Sequence, residues 1–174
     1  MALIYLRKAK DVNLKRIMDI IKDAQASLKS ENVPQWQDGY PDKNNILLDI
    51  KNNNLYEIMF NNNIAGIIAI QYTNEPNYDS LTGGNWENDD DYATIHRLAI
   101  DSKYAGNNLG VISFYNAITL IKNNNYKSVR IDTHKQNKRV QYLLKKIGFN
   151  HRGTIHINDP HGDLDTNAYE LTIK

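Results

Sequence analysis

The chain has no cysteine among its 174 residues. That excludes a disulfide framework, a thiolate zinc site, an iron–sulfur cluster and a cysteine nucleophile. Nor is one sign of charge in excess: 21 Lys and Arg stand against 20 Asp and Glu, for a formal net charge of +1. A general nucleic-acid binder needs a basic surplus, so only a local patch could serve that role. No apolar run approaches the ~20 residues that cross a bilayer. Met1–Lys10 holds no apolar stretch long enough for a signal peptide. The expected setting is the cytoplasm, with neither membrane nor nucleic acid as partner. What abounds instead is asparagine, with triplets at Asn52–Asn54, Asn61–Asn63 and Asn123–Asn125. These fall where turns are needed, and Asn tolerates left-handed backbone angles.

Periodicity gives the order of elements. Ala2–Lys8 alternates as a first strand, and Asp11 or Asn13 can cap the helix that follows. Leu14, Ile17, Met18 and Ile21 form one apolar helical stripe. Pro34, Gly39 and Pro41 punctuate a loop over 31–43, and Ile46–Ile50 is a short helix candidate. Leu55–Phe60 and Ile64–Tyr72 are strands joined by Asn61-Asn62-Asn63, a hairpin signal. The second is apolar on both faces, so it belongs inside a covered sheet. Thr73–Asp91 is polar and reads as a long surface loop. Then come a strand at Tyr92–Ile100, a helix at about 109–122, a strand at Lys127–Asp132 and a helix striped by Val140, Leu143, Leu144 and Ile147. Gly148 ends that helix. Phe149–Ile157 and Asn167–Ile173 are the last strands, with a polar turn over Asn158–Asp163. No linker or internal repeat interrupts 1–174, so one domain is expected. The strand–helix–strand unit at 92–132 implies a parallel crossover.

The stretch richest in chemistry is Ile95-His96-Arg97-Leu98-Ala99-Ile100-Asp101-Ser102-Lys103-Tyr104-Ala105-Gly106-Asn107-Asn108-Leu109-Gly110. A buried strand runs into a Gly/Asn loop that opens an apolar helix. The unpaired N–H groups and partial positive charge of a helix start suit an anion. Glycine and asparagine let that backbone approach it closely. The loop is neither a P-loop nor a dinucleotide Gly-x-Gly-x-x-Gly. An ordinary strand–helix turn reads the same way, so both readings stay open at this point.

A second element, Asn137-Lys138-Arg139-Val140-Gln141-Tyr142-Leu143-Leu144-Lys145-Lys146-Ile147-Gly148-Phe149, opens a helix just after a strand. Together the two segments resemble the GNAT superfamily of N-acetyltransferases, and Gln35-Trp36-x-x-Gly-Tyr-Pro41 is similar to the acceptor loop of small bacterial members. The resemblance covers nearly the whole chain. It implies a single-domain α/β fold with a mixed central sheet of about seven strands and helices on both faces. It also implies an acyltransferase that moves the acetyl group of acetyl-CoA to a primary amine by direct attack. The resemblance leaves open whether the amine belongs to a small molecule, a peptide or a protein and whether the acyl chain is acetyl or longer, and it implies no metal. Pairing of sheet edges into a homodimer is common in the family.

Carried over residue by residue, the resemblance assigns Gly106, Asn107, Asn108, Leu109, Gly110 and Val111 to the coenzyme pyrophosphate. It assigns Leu98, Ala99, Ile100 and Asn137 to the pantetheine arm and Lys146 to the phosphates, although a lysine in a last helical turn also suits the dipole. Ala105 and Asn108 depart from the family's Arg/Gln-x-x-Gly-x-Gly/Ala pattern. Leu144 stands where many members carry a tyrosine acid, and Tyr142 lies about 200° round the helix from it. A non-catalytic coenzyme-A-binding module is therefore the rival reading. Gln35, Trp36 and Tyr40 are acceptor-side candidates. His96 is the candidate base, with a pH limb expected near 6–7; a water chain or an amine that arrives deprotonated would do the same work. Arg97 is expected on the opposite face of the strand from His96. His134 either caps the following helix or reaches the acyl site. His151, His156 and His161, five residues apart, do not make one helical metal face.

Overall fold

The stripes and alternations resolve into one mixed sheet sandwiched between two helical layers. The computed structural model describes residues 2–157 and 165–173; the expected polar turn at Asn158–Asp163 lies outside them. The elements run β1 (Ile4–Lys8), α1 (Leu14–Ser30), α2 (Lys43–Lys51), β2 (Leu55–Phe60), β3 (Asn63–Gln71), β4 (Tyr92–Ile100), α3 (Leu109–Asn123), β5 (Ser128–His134), α4 (Lys138–Ile147), β6 (Asn150–His156) and β7 (Asp165–Thr172). This is the expected order. The sheet order is β1-β2-β3-β4-β5-β7-β6. β4 and β5 pair in parallel, as the crossover predicts, and the other neighbours pair antiparallel.

β3 shows why its sequence is apolar throughout. Ile68 and Ile70 pack into the α3/α4 layer with Phe114, Ala117, Ile121 and Leu144. Ile67 and Ala69 pack into the opposite layer with Ile17, Ile20, Ile21 and Ile46 of α1 and α2. Both faces of the strand are therefore covered. The α1 stripe is the buried face of that helix. Asn13 stands at its N-cap position but does not cap it. Its Nδ2 instead donates to Glu57 Oε1 at 2.7 Å. Asp42 and Asn45 form a reciprocal capping box at α2, and Gly148 closes α4 in the left-handed conformation expected of it.

The loop over 73–91 is more ordered than its polarity suggests. It contains a helical turn at Pro76–Ser80 and pairs Thr82 with Thr154 of β6. Arg130 lies between the rings of Trp86 and Tyr92, 4.3 and 4.1 Å away. Its Nε donates to buried Glu170 at 3.0 Å, and its Nη2 to the Asn88 carbonyl at 2.8 Å. A guanidinium that is stacked and hydrogen-bonded at once pins this loop to the sheet.

Candidate active site

The site arises from a mismatch between the two sides of β4. On the β5 side, pairing stops after Tyr92–Ser128, Ala93–Val129 and Thr94–Arg130. On the β3 side, pairing continues to Ile100, opposite Gly66. β5 meanwhile stays with β7 as far as His134. The parallel pair therefore splits after Thr94, and among the described residues no strand covers the β5-side edge of β4 from Ile95 to Ile100. A cleft of about 1200 Å³ occupies the split.

One end of the cleft is made by the loop from β4 to α3. Gly106 has φ +82 and Asn108 has φ +55. Both are residue types that accept left-handed angles at little cost. Asn108 occupies the α3 N-cap without a side-chain cap, so the first N–H groups of α3 keep their donors free of side-chain acceptors. Gly110 brings the helix start close to α4: a Cβ there would lie 3.2 Å from Leu143 Cδ2. Leu98, Ala99, Ile100, Gly106, Asn108, Leu109, Gly110, Val111, Asn137 and Lys146 all line the cleft. Asn107 does not; its Nδ2 folds back to the Tyr104 carbonyl at 3.0 Å. Asn137 also serves as the α4 N-cap, its side chain accepting from Val140 N–H at 3.2 Å. Leu144 is fully buried in the core, and its aliphatic side chain has no proton to give. Tyr142 is exposed and lines the rim.

The other end gathers residues distant in sequence. Gln35, Trp36, Tyr40 and His96 line it as expected. Gln35 Oε1 accepts from Asn137 Nδ2 at 2.9 Å, tying the loop over 31–41 to α4 across the cleft. Trp36 has φ +65 and packs against the α1/α2 core. His96 is half-buried, and its Nε2 has no hydrogen-bond partner among the described residues. Burial, reinforced by the Arg97 charge, pushes its pKa down to about 4, although Glu75 pulls the other way. The imidazole is thus neutral at pH 7, and a pH limb set by this group would fall near 4 rather than at 6–7. His134 does not join the group. It is buried at the end of β5, where Nδ1 accepts from Gln136 N–H at 3.1 Å; it does not line the cleft, and the cap of α4 is Asn137 rather than His134.

Alternation misplaces Arg97. The β3–β4 register shifts so that two residues of β4, Arg97 and Leu98, stand between His96 and Ala99 where β3 has only Ile68 between Ala69 and Ile67. This bulge gives Arg97 φ +52 and brings it to Asp49 of α2, Nη1 to Oδ2 3.1 Å. Arg97 therefore lies on the α1/α2 side, the side His96 shares as the partner of Ala69. Sequence reasoning also misses a buried dyad: Tyr78 Oη donates to Asp132 Oδ1 at 3.0 Å. Burial raises both pKa values, and the Asp132 charge adds to the rise at Tyr78. Glu75 joins the same wall, its Oε1 accepting from Asn77 Nδ2 at 2.9 Å. No local motif marks these residues, because they meet only through the sheet. Among the described residues no three His, Asp or Glu side chains gather as metal ligands.

A split parallel pair, a Gly/Asn loop opening a helix at one end and a neutral imidazole towards the other define the class of acyl-CoA-dependent transferases. The chain belongs to the acetyltransferase (GNAT) family, whose sequence profile matches residues 14–149, and it is an N-acetyltransferase. A GNAT-family acetyltransferase from Streptococcus agalactiae is 29% identical, with 98% of this chain and 95% of that one covered at a TM-score of 0.88. The acetyltransferase from Salmonella typhimurium that modifies the N-terminal serine of ribosomal protein L7/L12 shares the fold at 17% identity, TM-score 0.70 and coverage of 98% and 95%. So does yncA of the same organism, solved with its cofactor acetyl-CoA, at 14% identity, TM-score 0.68 and coverage of 98% and 94%. No curated protein matches the sequence significantly. No helix among the described residues is long and apolar enough to cross a membrane.

Proposed function

We propose that the protein transfers the acetyl group of acetyl-CoA to a primary amine in the cytoplasm by direct attack. The observation that carries this reading is the split of β4 from β5 after Thr94, which frees a strand edge beside the helix start. Acetyl-CoA supplies an activated thioester. The free edge at Leu98, Ala99 and Ile100 receives its pantetheine arm as an added strand would be received. The N–H groups from Gly106 to Val111 cradle the pyrophosphate, with Asn137 and Lys146 alongside. Asn107 serves only through its backbone. Gln35, Trp36 and Tyr40 shape the acceptor side.

An alkylamine with a pKa of about 10.4 is almost wholly protonated at pH 7. His96, whose Nε2 is itself buried, accepts its proton through a water relay, so that the lone pair is free as the N–C bond forms and the C–S bond breaks. With a pKa of about 4, His96 is available at every physiological pH but is a weak base. It works best on an amine already biased towards its neutral form. Leu144 has no proton to give the departing thiolate, and the lack of an acid at this position favours a second reading: a coenzyme-A-binding module with little turnover.

Thermal unfolding with acetyl-CoA, coenzyme A, ATP and NAD in parallel tests the donor half. At 100 times its dissociation constant a ligand adds about 2.7 kcal/mol, or roughly 5–10 °C for a domain of this size. A shift with the coenzyme A forms alone is expected; no shift with either sinks the reading. Thiol release with an amine panel then separates enzyme from module.

A further inference from the structure

Among the described residues, seven other than glycine have positive φ, and five of them are Asn. The two exceptions are Trp36 and Arg97, and both line the same end of the cleft. Strained backbone at residues that resist it concentrates where a ligand is gripped. At Arg97 the strain has an electrostatic counterpart. Its side chain is only 14% exposed. Nη1 stands 3.1 Å from Asp49 Oδ2, yet Nε, Nη1 and that Oδ2 all lack a hydrogen-bond partner among the described residues. Asp49 neutralises the guanidinium without satisfying it. The Tyr40 ring lies 5.5 Å from Cζ. Buried polar groups without partners are rare in folded proteins, so this one invites an acceptor from outside the chain.

We propose that the acceptor is an amine that also carries a carboxylate, and that Arg97 binds this carboxylate. The proposal rests on the reading of the cleft as an amine-acceptor site. A planar guanidinium presents a fork of donors that matches a carboxylate. Glu75, on the same cleft and within electrostatic reach of His96, offers the opposite charge to the ammonium. Arg97, Asp49 and Glu75 together carry one negative charge, which opposes a dianionic phosphate but not a neutral zwitterion. A simple alkylamine would leave Arg97 unanswered.

The test compares acids with their decarboxylated twins: L-phenylalanine with phenethylamine, L-leucine with isoamylamine and L-methionine with 3-(methylthio)propylamine. Thiol release from acetyl-CoA should give a kcat/KM at least ~10-fold higher for an acid than for its twin, as a site built for a polar group rejects the analogue lacking it. Arg97→Gln should narrow that ratio below about threefold. Should Asp49, left alone, unfold that variant, the double variant Asp49→Asn with Arg97→Gln removes both buried charges and carries the same expectation. Twins that match or beat the acids, or a ratio untouched by Arg97→Gln in a folded protein, overturn the proposal. If acetyl-CoA binds but none of the six compounds reacts, the carboxylate site falls while the donor half of the function stands. If acetyl-CoA does not bind, the transferase reading falls. The carboxylate site is then judged alone by calorimetric binding of the acids against the amines, and equal binding or none overturns it.

Discussion

At the end of the cleft assigned to the coenzyme, most lining residues lie on one continuous stretch, Leu98 to Val111, and act through backbone. At the end assigned to the acceptor they come from separate segments, Gln35–Tyr40, Gln71–Tyr78, His96–Arg97 and Asp132 among them, and what they offer a ligand is side chains. The first end depends on local conformation, so a single added carbon can ruin it. The second depends on charge and pairing, so its losses should be graded and pH-dependent.

Gly110→Val tests the first half of that contrast and should have the largest effect. Its Cβ meets the flexible end of Leu143 at 3.2 Å, so the fold can yield, but the branched side chain crowds the helix start where N–H groups must meet the pyrophosphate. Calorimetry should show acetyl-CoA affinity weakened by more than ~100-fold with far-ultraviolet dichroism unchanged; each tenfold is about 1.4 kcal/mol. Unchanged affinity would remove the pyrophosphate from this loop. Gly66→Ala is the control. Its Cβ would lie 2.6 Å from the Ala99 carbonyl oxygen, a backbone atom that cannot step aside. Its cost should appear in stability, by about 1–3 kcal/mol.

His96 probes the other half. His96→Ala should lower kcat by about 100-fold and abolish an acid limb near pH 4 in kcat/KM. A limb at 6–7, or a profile of unchanged shape, would reject it as the base. Stability carries a second signature. The unfolded chain takes up a proton at His96 near pH 6.5, the folded chain only near 4. Between those values the unfolded state binds more protons, so stability falls as pH drops from 6.5 towards 4, by of order 3 kcal/mol at most. His96→Gln should flatten that part of the pH–stability curve.

The same contrast explains how far the sequence could be read. The Gly/Asn loop and the Asn137 helix start are each written in contiguous residues, because turn and cap chemistry is local; the split at Thr94 is a matter of strand pairing, and no local motif marks it. The element order follows from periods of 2 and 3.6. Alternation misplaces Arg97 because a bulge adds one residue and breaks the period on which facing depends. Tyr78 and Asp132 meet across 54 residues, a contact created by sheet order alone. His134 has the residue type of a site but the surroundings of a helix entry. Asn107 and Asn108 look alike in sequence, yet only the left-handed Asn108 turns into the cleft.

Asn137 joins the two ends and should show a mixed response. It caps α4 and donates to Gln35. Asn137→Ala should cost about 1 kcal/mol of stability through the cap and a few-fold in coenzyme affinity, in keeping with ~0.5–1.5 kcal/mol for one neutral hydrogen bond. Gln35→Ala separates the two: it leaves the cap intact and should change acceptor KM without moving Tm by more than about 2 °C. Equal losses of stability in both variants would make the Gln35 contact structural.

The smallest effect belongs to the second tie across the cleft, the ion pair of Glu31 at the end of α1 with Arg139 on α4. Arg139 also donates to Ser27 Oγ at 3.3 Å. Both charged side chains are largely in water, 67% and 39% exposed, where such pairs contribute about 0.2–1 kcal/mol and fade with salt. Glu31→Gln should therefore leave Tm within about 2 °C of the parent and change acetyl-CoA affinity less than threefold, with the difference vanishing at 1 M salt. A larger, salt-resistant effect would mean that this pair, together with Gln35 and Asn137, closes the cleft as a unit, and that the two ends communicate through α4 rather than standing apart.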